Sequence, residues 1–272
     1  MERNIKAQED MESDEKNERT AWLSVETTGL DKVISRICRI DILIVEGKSV
    51  IKTLNTFVNP TIPIPAEATE INGISDVTVL ESPKFSEIAD TVKSYLDECS
   101  AIGGDSVSFF DLPVLMAEFT RLEMPFKVFG KRIIDTQDIY RKYCRHGLDE
   151  KLRERLSPKR YSEVTEYISR NCIGYDNDAF RSLMLYRSLV DDFKLKADDI
   201  DDVCNNRKRI DLAGFFVKNE DRSVVLAKGK HKGQDINDVD NSYFSWMYRN
   251  ESFDFDTRDV AYRIYRKRGG NK

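Results

Sequence analysis

The chain has 272 residues and a formal net charge of −5; hydrophobic residues make up 40% of it and charged residues 33%. This length predicts one full domain with a smaller second unit, and the apolar content suffices for a packed core. No apolar run approaches the ~20 residues that span a bilayer, and the polar first segment lacks the apolar region of a secretory signal. The five scattered cysteines form no CxxC pair, so we expect reduced thiols in a cytoplasmic protein.

The charge is distributed unevenly along the chain. Residues 205–272 contain 15 Lys and Arg against 10 Asp and Glu, a net charge of +5, whereas residues 1–204 have a net charge of −10. The basic C-terminal part permits nucleic-acid binding, but a solvated basic surface explains the same charge equally well.

The patterns along the first two thirds of the chain predict a mixed α/β domain. Residues 1–19 are polar and acidic without periodicity, which indicates a disordered leader. Three strands follow, with a hairpin turn at 46–48, and their short connections favour an antiparallel meander. Helical and strand patterns then alternate, which predicts a mixed sheet with helices on its faces. The predicted strands are 21–25, 37–45, 50–58, 101–104 and 132–135, and the predicted helices are 65–71, 85–99, 112–122, 136–143, 161–170 and 178–193.

The last third predicts a second, smaller unit. A charged run at 196–209 is typical of a linker or of the frayed end of the preceding helix. Beyond it, 210–272 predicts a small, basic α+β module with a strand at 223–226 and helices at 242–249 and 256–267. A segment of this size forms only a marginal core, so we expect it to dock on the domain at 20–195.

Six segments resemble, in order and spacing, the DEDD 3′–5′ exonucleases of the DnaQ-like group. They are Val25–Leu30, Arg36–Ile40, Phe57–Pro60, Ile71–Ile74, Phe110–Leu115 and Ile134–Thr136. The resemblance runs from about residue 21 to residue 193 and implies a ribonuclease H-like fold. It also implies phosphodiester hydrolysis by two Mg²⁺ or Mn²⁺ ions that four carboxylates hold, with a histidine as general base.

The catalytic positions of that family are only partly retained. Glu26 and Asp111 match two of its carboxylates, whereas Ser24, Asn177 and Ser182 stand where Asp, His and Asp are expected. Two carboxylates facing two dications leave roughly +2 of charge uncompensated. We therefore expect an inactive exonuclease fold without a cofactor. Its two retained carboxylates either hold one metal ion weakly or are hydrogen-bonded carboxylates of the cleft.

Two features keep a metal-dependent enzyme open as the alternative. A shifted third motif would use Asp176 or Asp178, with Mg²⁺ or Mn²⁺ as cofactor, although carboxylates at these positions also suit a helix N-cap. His146 could replace the missing base, although a histidine in a surface loop is the ordinary interpretation. A second alternative is a protein-interaction scaffold with a vestigial cleft.

The turn after the first strand is one candidate nucleic-acid contact. The resemblance implies that it approaches a 3′-terminal nucleotide and that its leucine wedges against the base; an ordinary strand-exit turn is the alternative. Asn72 stands where the family often has a histidine, so we expect one polar contact fewer here. The residues of the turn are Thr27, Thr28, Gly29 and Leu30.

A second candidate contact is a lysine-rich loop. Residues 228–234, followed by Tyr243–Met247, resemble a module found C-terminal to some of these exonucleases, including the exonuclease X group. The loop suits phosphate binding, and the aromatic residues suit base stacking. Alternatively, the aromatic residues form the module's own core. We expect Trp246 to belong to that core. The expected partners are 3′ ends of single-stranded DNA or RNA, or a protein, and no membrane. The loop residues are Lys228, Lys230, His231 and Lys232.

Overall fold

The structure is a computed structural model that describes residues 18–124, 126, 128, 130–143, 156–171, 177–204 and 208–270. Most of the predicted leader lies outside these ranges, and Arg19 already belongs to the first strand. Within the described ranges, no helix combines the length and the apolar character that a bilayer crossing requires.

A five-stranded mixed sheet forms the centre of the larger unit. Its spatial order is β3-β2-β1-β4-β5; β1, β2 and β3 are antiparallel, and β4 and β5 run parallel to β1. The predicted meander and mixed sheet are therefore confirmed. The strands are β1 (Arg19–Thr27), β2 (Ile37–Glu46), β3 (Ser49–Phe57), β4 (Ala101–Gly104) and β5 (Arg132–Asp135).

Eight helices are described around this sheet. The six predicted from periodicity are present, and the short helix Asp76–Val79 was not predicted. Helices α1 to α8 are Ala66–Asn72, Asp76–Val79, Phe85–Asp97, Asp111–Arg121, Thr136–Tyr143, Pro158–Asn171, Asp178–Phe193 and Ala197–Val203.

The two faces of the sheet pack against different helices, because successive side chains of a strand point to opposite faces. Leu23 and Val25 of β1 belong to a core with the buried sides of α3 and α4. Trp22 of β1 and Leu43 of β2 belong to a second core with α5, α7 and α8. Ser24 and Glu26 share the face of Trp22, so they lie on the α7 side.

The charged run after α7 folds into α8, which corrects the prediction of an irregular linker there. Lys194 ends α7 in the left-handed conformation, so α8 is a separate helix and not a frayed continuation. Asp199 accepts a hydrogen bond from the Lys196 backbone N–H, which stabilises the helix start. Ile200 and Cys204 are buried against the α7 core, and burial of these two side chains outweighs the surrounding acidic residues.

The C-terminal module has its own small core. It comprises the hairpin β6 (Phe216–Lys218) and β7 (Val224–Leu226), a 3₁₀ turn at Ile236–Asp238, and helices α9 (Asn241–Arg249) and α10 (Phe255–Lys267). Phe244 and Met247 of α9 are fully buried in that core, but Trp246 is 50% exposed. The expectation of a core Trp246 was therefore wrong, because 246 lies on the opposite side of α9 from 244 and 247.

The module contacts the larger unit through charged and apolar groups. Lys32 Nζ lies 3.4 Å from Asp254 Oδ2, and Arg209 Nη2 lies 3.4 Å from Asp138 Oδ2. Leu212 packs against the α3–α4 core. These contacts hold the module beside the turn that follows β1.

Candidate active site

The register between β1 and β2 sets the composition of the cleft. Ser24 lies directly opposite Asp41, and Glu26 lies directly opposite Arg39. Directly opposed residues of an antiparallel pair share one face of the sheet, so all four side chains lie on the α7 side. Ser24 stands where the resemblance implies an aspartate, and its cross-strand neighbour, Asp41, has a carboxylate.

Arg39 and Asp41 form a buried ion pair within this cleft. Arg39 Nε lies 3.0 Å from Asp41 Oδ2, and Arg39 Nη2 donates to Asp41 Oδ1 at 3.2 Å. Both residues are 3% exposed. Asn55 and Asn177 also donate to Asp41 Oδ1. Burial raises the pKa of Asp41 to about 7, and Arg39 opposes that rise.

Sequence reasoning did not select Arg39 or Asp41 as site residues. The available signal was their occurrence in β2, whose sequence is ICRIDILIVE. Apart from Arg39, Asp41 and the last residue, all residues of this strand are apolar and buried. A charged pair in such a strand indicates a specific buried role, since buried charges are usually paired or ligated.

Asp111, the first residue of α4, is buried under β1. Its Oδ1 accepts a hydrogen bond of 2.8 Å from the backbone N–H of Val25, the residue between Ser24 and Glu26. Burial raises the pKa of Asp111 well above its ordinary value, and the Val25 hydrogen bond acts against that rise. The structure thus brings the two retained carboxylates, Glu26 and Asp111, to the same segment of β1.

Glu26 experiences several charges at once. Burial raises its pKa to about 7; the negative charge of Asp178 adds to the rise, Arg39 opposes it, and Asp41 adds a smaller contribution. Asp178 therefore lies near enough to Glu26 for its negative charge to raise the pKa of that carboxyl group.

Asn177 begins α7 as its N-cap. Its Oδ1 accepts a 2.8 Å hydrogen bond from the backbone N–H of Phe180, and its Nδ2 lies 3.4 Å from Asp41 Oδ1. The expectation that Asp176 or Asp178 caps this helix is corrected for Asp178, which lies in the first turn, 3.5 Å from Arg181 Nη1. Asp176 and His146 lie outside the described residues.

Ser182 lies on α7, one turn beyond Asp178. It is buried, and α7 packs against β1 and β4. Its hydroxyl carries no negative charge, so the buried face of α7 offers no carboxylate at this position.

The turn after β1 is held in a defined shape. Thr27 Oγ1 donates to the carbonyl of Gly29 at 2.6 Å, and Thr28 Oγ1 accepts from the backbone N–H of Arg36 at 3.0 Å. Asn72 Nδ2 donates to the carbonyl of Thr27 at 3.1 Å, so Asn72 keeps a polar contact that the sequence comparison had suggested was lost. Leu30 is 81% exposed at the tip of the turn.

The lysine loop lies against the aromatic side of α9. The His231 and Tyr243 ring centroids are 4.5 Å apart, and His231 Nδ1 lies 2.7 Å from Gln234 Oε1. A Cβ on Gly229 would come within 2.9 Å of the Tyr243 hydroxyl, so glycine is required for this close approach. Lys230 and Lys232 are exposed, while Lys228 donates to the Ala213 carbonyl.

Comparison with known proteins shows the family of the chain. The family model RNase_T, described as exonuclease, matches residues 22–160. The chain belongs to this exonuclease family. The match includes Glu26, Asp111 and all of the central sheet except the first three residues of β1.

Relatives of this exonuclease-family chain are similar over part of their length. The PolC-type DNA polymerase III of Streptococcus pneumoniae serotype 2 (strain D39) is 24% identical over an alignment of 208 residues; the match covers 72% of this chain and 13% of the polymerase. The uncharacterized exonuclease CP81 of Escherichia phage 186 is 43% identical over 79 residues, 28% of this chain and 38% of the phage protein. The chain thus spans a small fraction of the length of the polymerases that it matches.

A solved structure supports the fold. Escherichia coli exonuclease I in complex with a dA16 oligonucleotide has a TM-score of 0.50 and 14% sequence identity; the match covers 70% of this chain and 44% of exonuclease I. Together with the five-stranded mixed sheet, this similarity identifies the exonuclease, ribonuclease H-like fold.

The described residues do not fit a pair of divalent cations. Within the ranges that the structure describes, no group of three or more His, Cys, Asp or Glu side chains could hold a metal ion. Arg39 instead brings a positive charge to the carboxylates of the cleft and forms two contacts with Asp41.

The raised pKa of Glu26 predicts a pH-dependent effect of Glu26→Gln. We expect the substitution to increase the free energy of unfolding at pH 8 by on the order of 2 kcal/mol and to leave it unchanged near pH 4. Because its pKa is about 7 in the folded protein against 4.5 ordinarily, Glu26 loses its proton more readily in the unfolded chain. Stability therefore falls as pH rises between these values, and glutamine removes that fall.

Urea denaturation of both proteins from pH 4 to pH 8 measures this difference. Glu70→Gln, at an exposed position of α1, is the matched control and should show no comparable gain. Equal effects of the two substitutions at pH 8 would contradict the prediction.

Proposed function

We propose that this exonuclease-family chain binds the ends of single-stranded nucleic acid in its cleft and does not cut them. The observation that carries the proposal is the buried ion pair of Arg39 with Asp41, directly across from Ser24. The cleft thereby contains its own cation among its carboxylates.

Electrostatics supports the loss of turnover. Divalent cations of this class require anionic oxygen ligands, and here Asp41 is already neutralised by Arg39. A guanidinium about 5 Å from a dication is repelled by roughly 7 kcal/mol at an effective dielectric of 20. That repulsion is comparable to the whole binding free energy of a micromolar ligand, about 8 kcal/mol.

Two surfaces support the binding of nucleic acid. The turn at Thr27–Leu30 presents an exposed leucine beside the cleft, and the lysine loop presents cations beside Tyr243. Exonuclease I, whose fold the chain shares, has been solved with a dA16 oligonucleotide. Phosphate contacts by lysine and stacking on aromatic rings are the usual means of holding single strands.

The test uses end-labelled 12-nucleotide DNA and RNA with 10 mM Mg²⁺ or Mn²⁺. We expect both oligonucleotides to be retained on a filter at 50 mM salt, retention to weaken by 200 mM salt, and no shortened products on a denaturing gel. Neither ion should raise the melting temperature. An ion that did bind, at a concentration 100 times its Kd, would raise the free energy of unfolding by about 2.7 kcal/mol, and the melting temperature would rise with it.

A matched pair of variants localises the binding. Leu30→Ala should weaken retention of oligonucleotides with a free 3′ end by about fivefold or more, since an exposed leucine at the turn would lose its contact with the terminal base. Val77→Ala changes an equally exposed side chain, 83% against 81%, and should have no effect. Equal behaviour of the two variants would contradict end binding at the turn.

A metal-dependent 3′–5′ exonuclease is the second candidate. The observation in its favour is that the charges of Asp41 and Asp178 both raise the pKa of Glu26. Two carboxylates therefore lie near Glu26 at positions where the resemblance does not place a metal ligand. In that case the same gel shows a ladder with Mn²⁺ that Glu26→Gln abolishes, and the ion raises the melting temperature. Absence of both retention and laddering would favour a protein-interaction scaffold instead.

A further inference from the structure

A line of aromatic rings runs along the C-terminal module, with Tyr243 and Trp246 of α9 at its centre. Ring centroids are separated by 4.5 Å between His231 and Tyr243, by 5.4 Å between Tyr243 and Trp246, and by 5.4 Å between Trp246 and Phe253. Trp246 is the most open member, with half of its surface exposed. The lysine loop lies at the His231 end of this aromatic line.

A cavity of about 780 Å³ opens beside Trp246. Four of its residues follow one another at helical spacing along a single face of α9, and the C-terminal helix α10 closes one side. The lining combines two aromatic rings, an indole and a phenol, with hydroxyl, amide and guanidinium groups. The residues are Ser242, Ser245, Trp246, Arg249, Asn250 and Tyr265.

Arg249 supplies the positive charge of this cavity. Its Nε donates to the Tyr248 hydroxyl at 2.8 Å, and its guanidinium carbon lies 5.1 Å from the Tyr248 ring centroid. Among the ion pairs that the structure describes, none involves Arg249. A guanidinium that is oriented by a tyrosine and not neutralised by a carboxylate is suited to bind a phosphate.

We propose that the cavity beside Trp246 binds an unpaired base of a single-stranded nucleic acid, with the base stacked on the indole ring and Arg249 on an adjacent phosphate. The inference rests on the proposed nucleic-acid binding and adds a second contact region outside the cleft. The exposed Trp246 ring, the Arg249 guanidinium in the lining and the net charge of +5 over residues 205–272 match a polyanion with planar bases.

The position of the module makes one continuous strand feasible. Phe253, which contacts Trp246, is followed by Asp254, and Asp254 is paired with Lys32. Lys32 Nζ in turn lies 4.0 Å from the centroid of the exposed Phe109 ring. Lys32 and Phe109 belong to the segments that follow Leu30 and precede Asp111, so the module and the mouth of the cleft are neighbours.

Tryptophan fluorescence tests the stacking directly. The chain has two tryptophans, and Trp22 is 1% exposed in the core, so quenching by a bound base reports on Trp246. We expect oligo(dT)12 to quench the emission. Inorganic polyphosphate of matched charge should bind without quenching, because it has no bases.

Variants then measure the contribution of each group on filters with labelled oligo(dT)12. Trp246→Ala should weaken binding about tenfold or more, the range for loss of one stacked base, and Trp246→Phe should recover part of the affinity. Arg249→Ala should reduce the slope of log affinity against log salt by about 0.7, the value for one phosphate of a single strand. Arg222→Ala, an exposed arginine of the β6–β7 hairpin, is the control and should leave both quantities unchanged.

The outcomes separate this inference from the function on which it rests. Unchanged affinity in Trp246→Ala, or equal quenching by polyphosphate, would overturn the stacking site while leaving end binding intact. If the wild-type chain retains no oligonucleotide at 50 mM salt, the proposed function itself fails.

Discussion

Arg39→Met should lower the free energy of unfolding by about 3–5 kcal/mol at pH 8, the range for removing one partner of a buried ion pair. Methionine keeps an unbranched stem but removes the guanidinium group, so that Asp41 stays buried without its counter-ion. Glu26 would also lose the positive charge that opposes the rise of its pKa. Glu26 and Asp41 would then lie close together in the cleft without a cation between them.

The loss should depend on pH in a defined direction. The pKa of Asp41 is about 7 even with Arg39 present, and without Arg39 it should rise further. A protonated Asp41 needs no counter-ion, so Arg39→Met should lose less stability at pH 5 than at pH 8. Urea denaturation at the two pH values measures both effects.

Two further variants serve as controls for Arg39→Met. Arg19→Met removes an arginine whose ion pair with Glu46 is about one third exposed on both sides, and it should change stability little, since exposed pairs contribute little. The double variant Arg39→Met/Asp41→Leu should recover most of the loss, because both charges are gone. A single-variant loss below 1 kcal/mol at pH 8 would show that the pair does not hold the cleft together.

Asp135→Ala should lower the free energy of unfolding by about 3–5 kcal/mol, because it leaves several buried donors without an acceptor. Asp135 ends β5 and is 2% exposed. Its carboxylate accepts hydrogen bonds from the backbone N–H groups of Ser106, Ser108 and Gln137 and from the Ser108 hydroxyl, at 2.6–3.1 Å.

These hydrogen bonds hold the loop that leads into α4 and Asp111. Ser106 has a φ of 59°, a conformation that residues other than glycine seldom adopt, so the loop needs external support. Weakening it should displace Asp111 from the Val25 N–H. We therefore expect oligonucleotide retention to weaken together with stability in Asp135→Ala.

Urea denaturation and filter retention measure the two effects of Asp135→Ala. Asp135→Asn, which keeps an acceptor oxygen, should lie between the wild type and the alanine variant. Asp90→Ala, at an exposed position of α3, should behave as the wild type. If Asp135→Ala unfolds like Asp90→Ala, Asp135 is not the support of this loop.

The local pattern of apolar and polar residues was sufficient to predict most helices and strands of the fold. The apolar face of α3, with Phe85, Ala89, Val92 and Leu96 buried, follows directly from helical spacing, and the two faces of β1 follow from strand alternation. The ribonuclease H-like topology was implied by the resemblance of the ordered motifs from Val25 to Thr136 to the DnaQ-like exonucleases, and the five-stranded mixed sheet confirms it.

Three features depended on contacts between residues far apart in the chain. Asp41 became the neighbour of Ser24 through the register of β1 with β2, which includes an irregularity between Glu26 and Thr27. Asn177 rather than Asp178 capped α7, and Trp246 faced solvent while Phe244 and Met247 filled the module core. A pattern of residue types specifies which side chains can pair or be buried. The partner that each one meets is set by strand register and helix rotation, which only the packed chain defines.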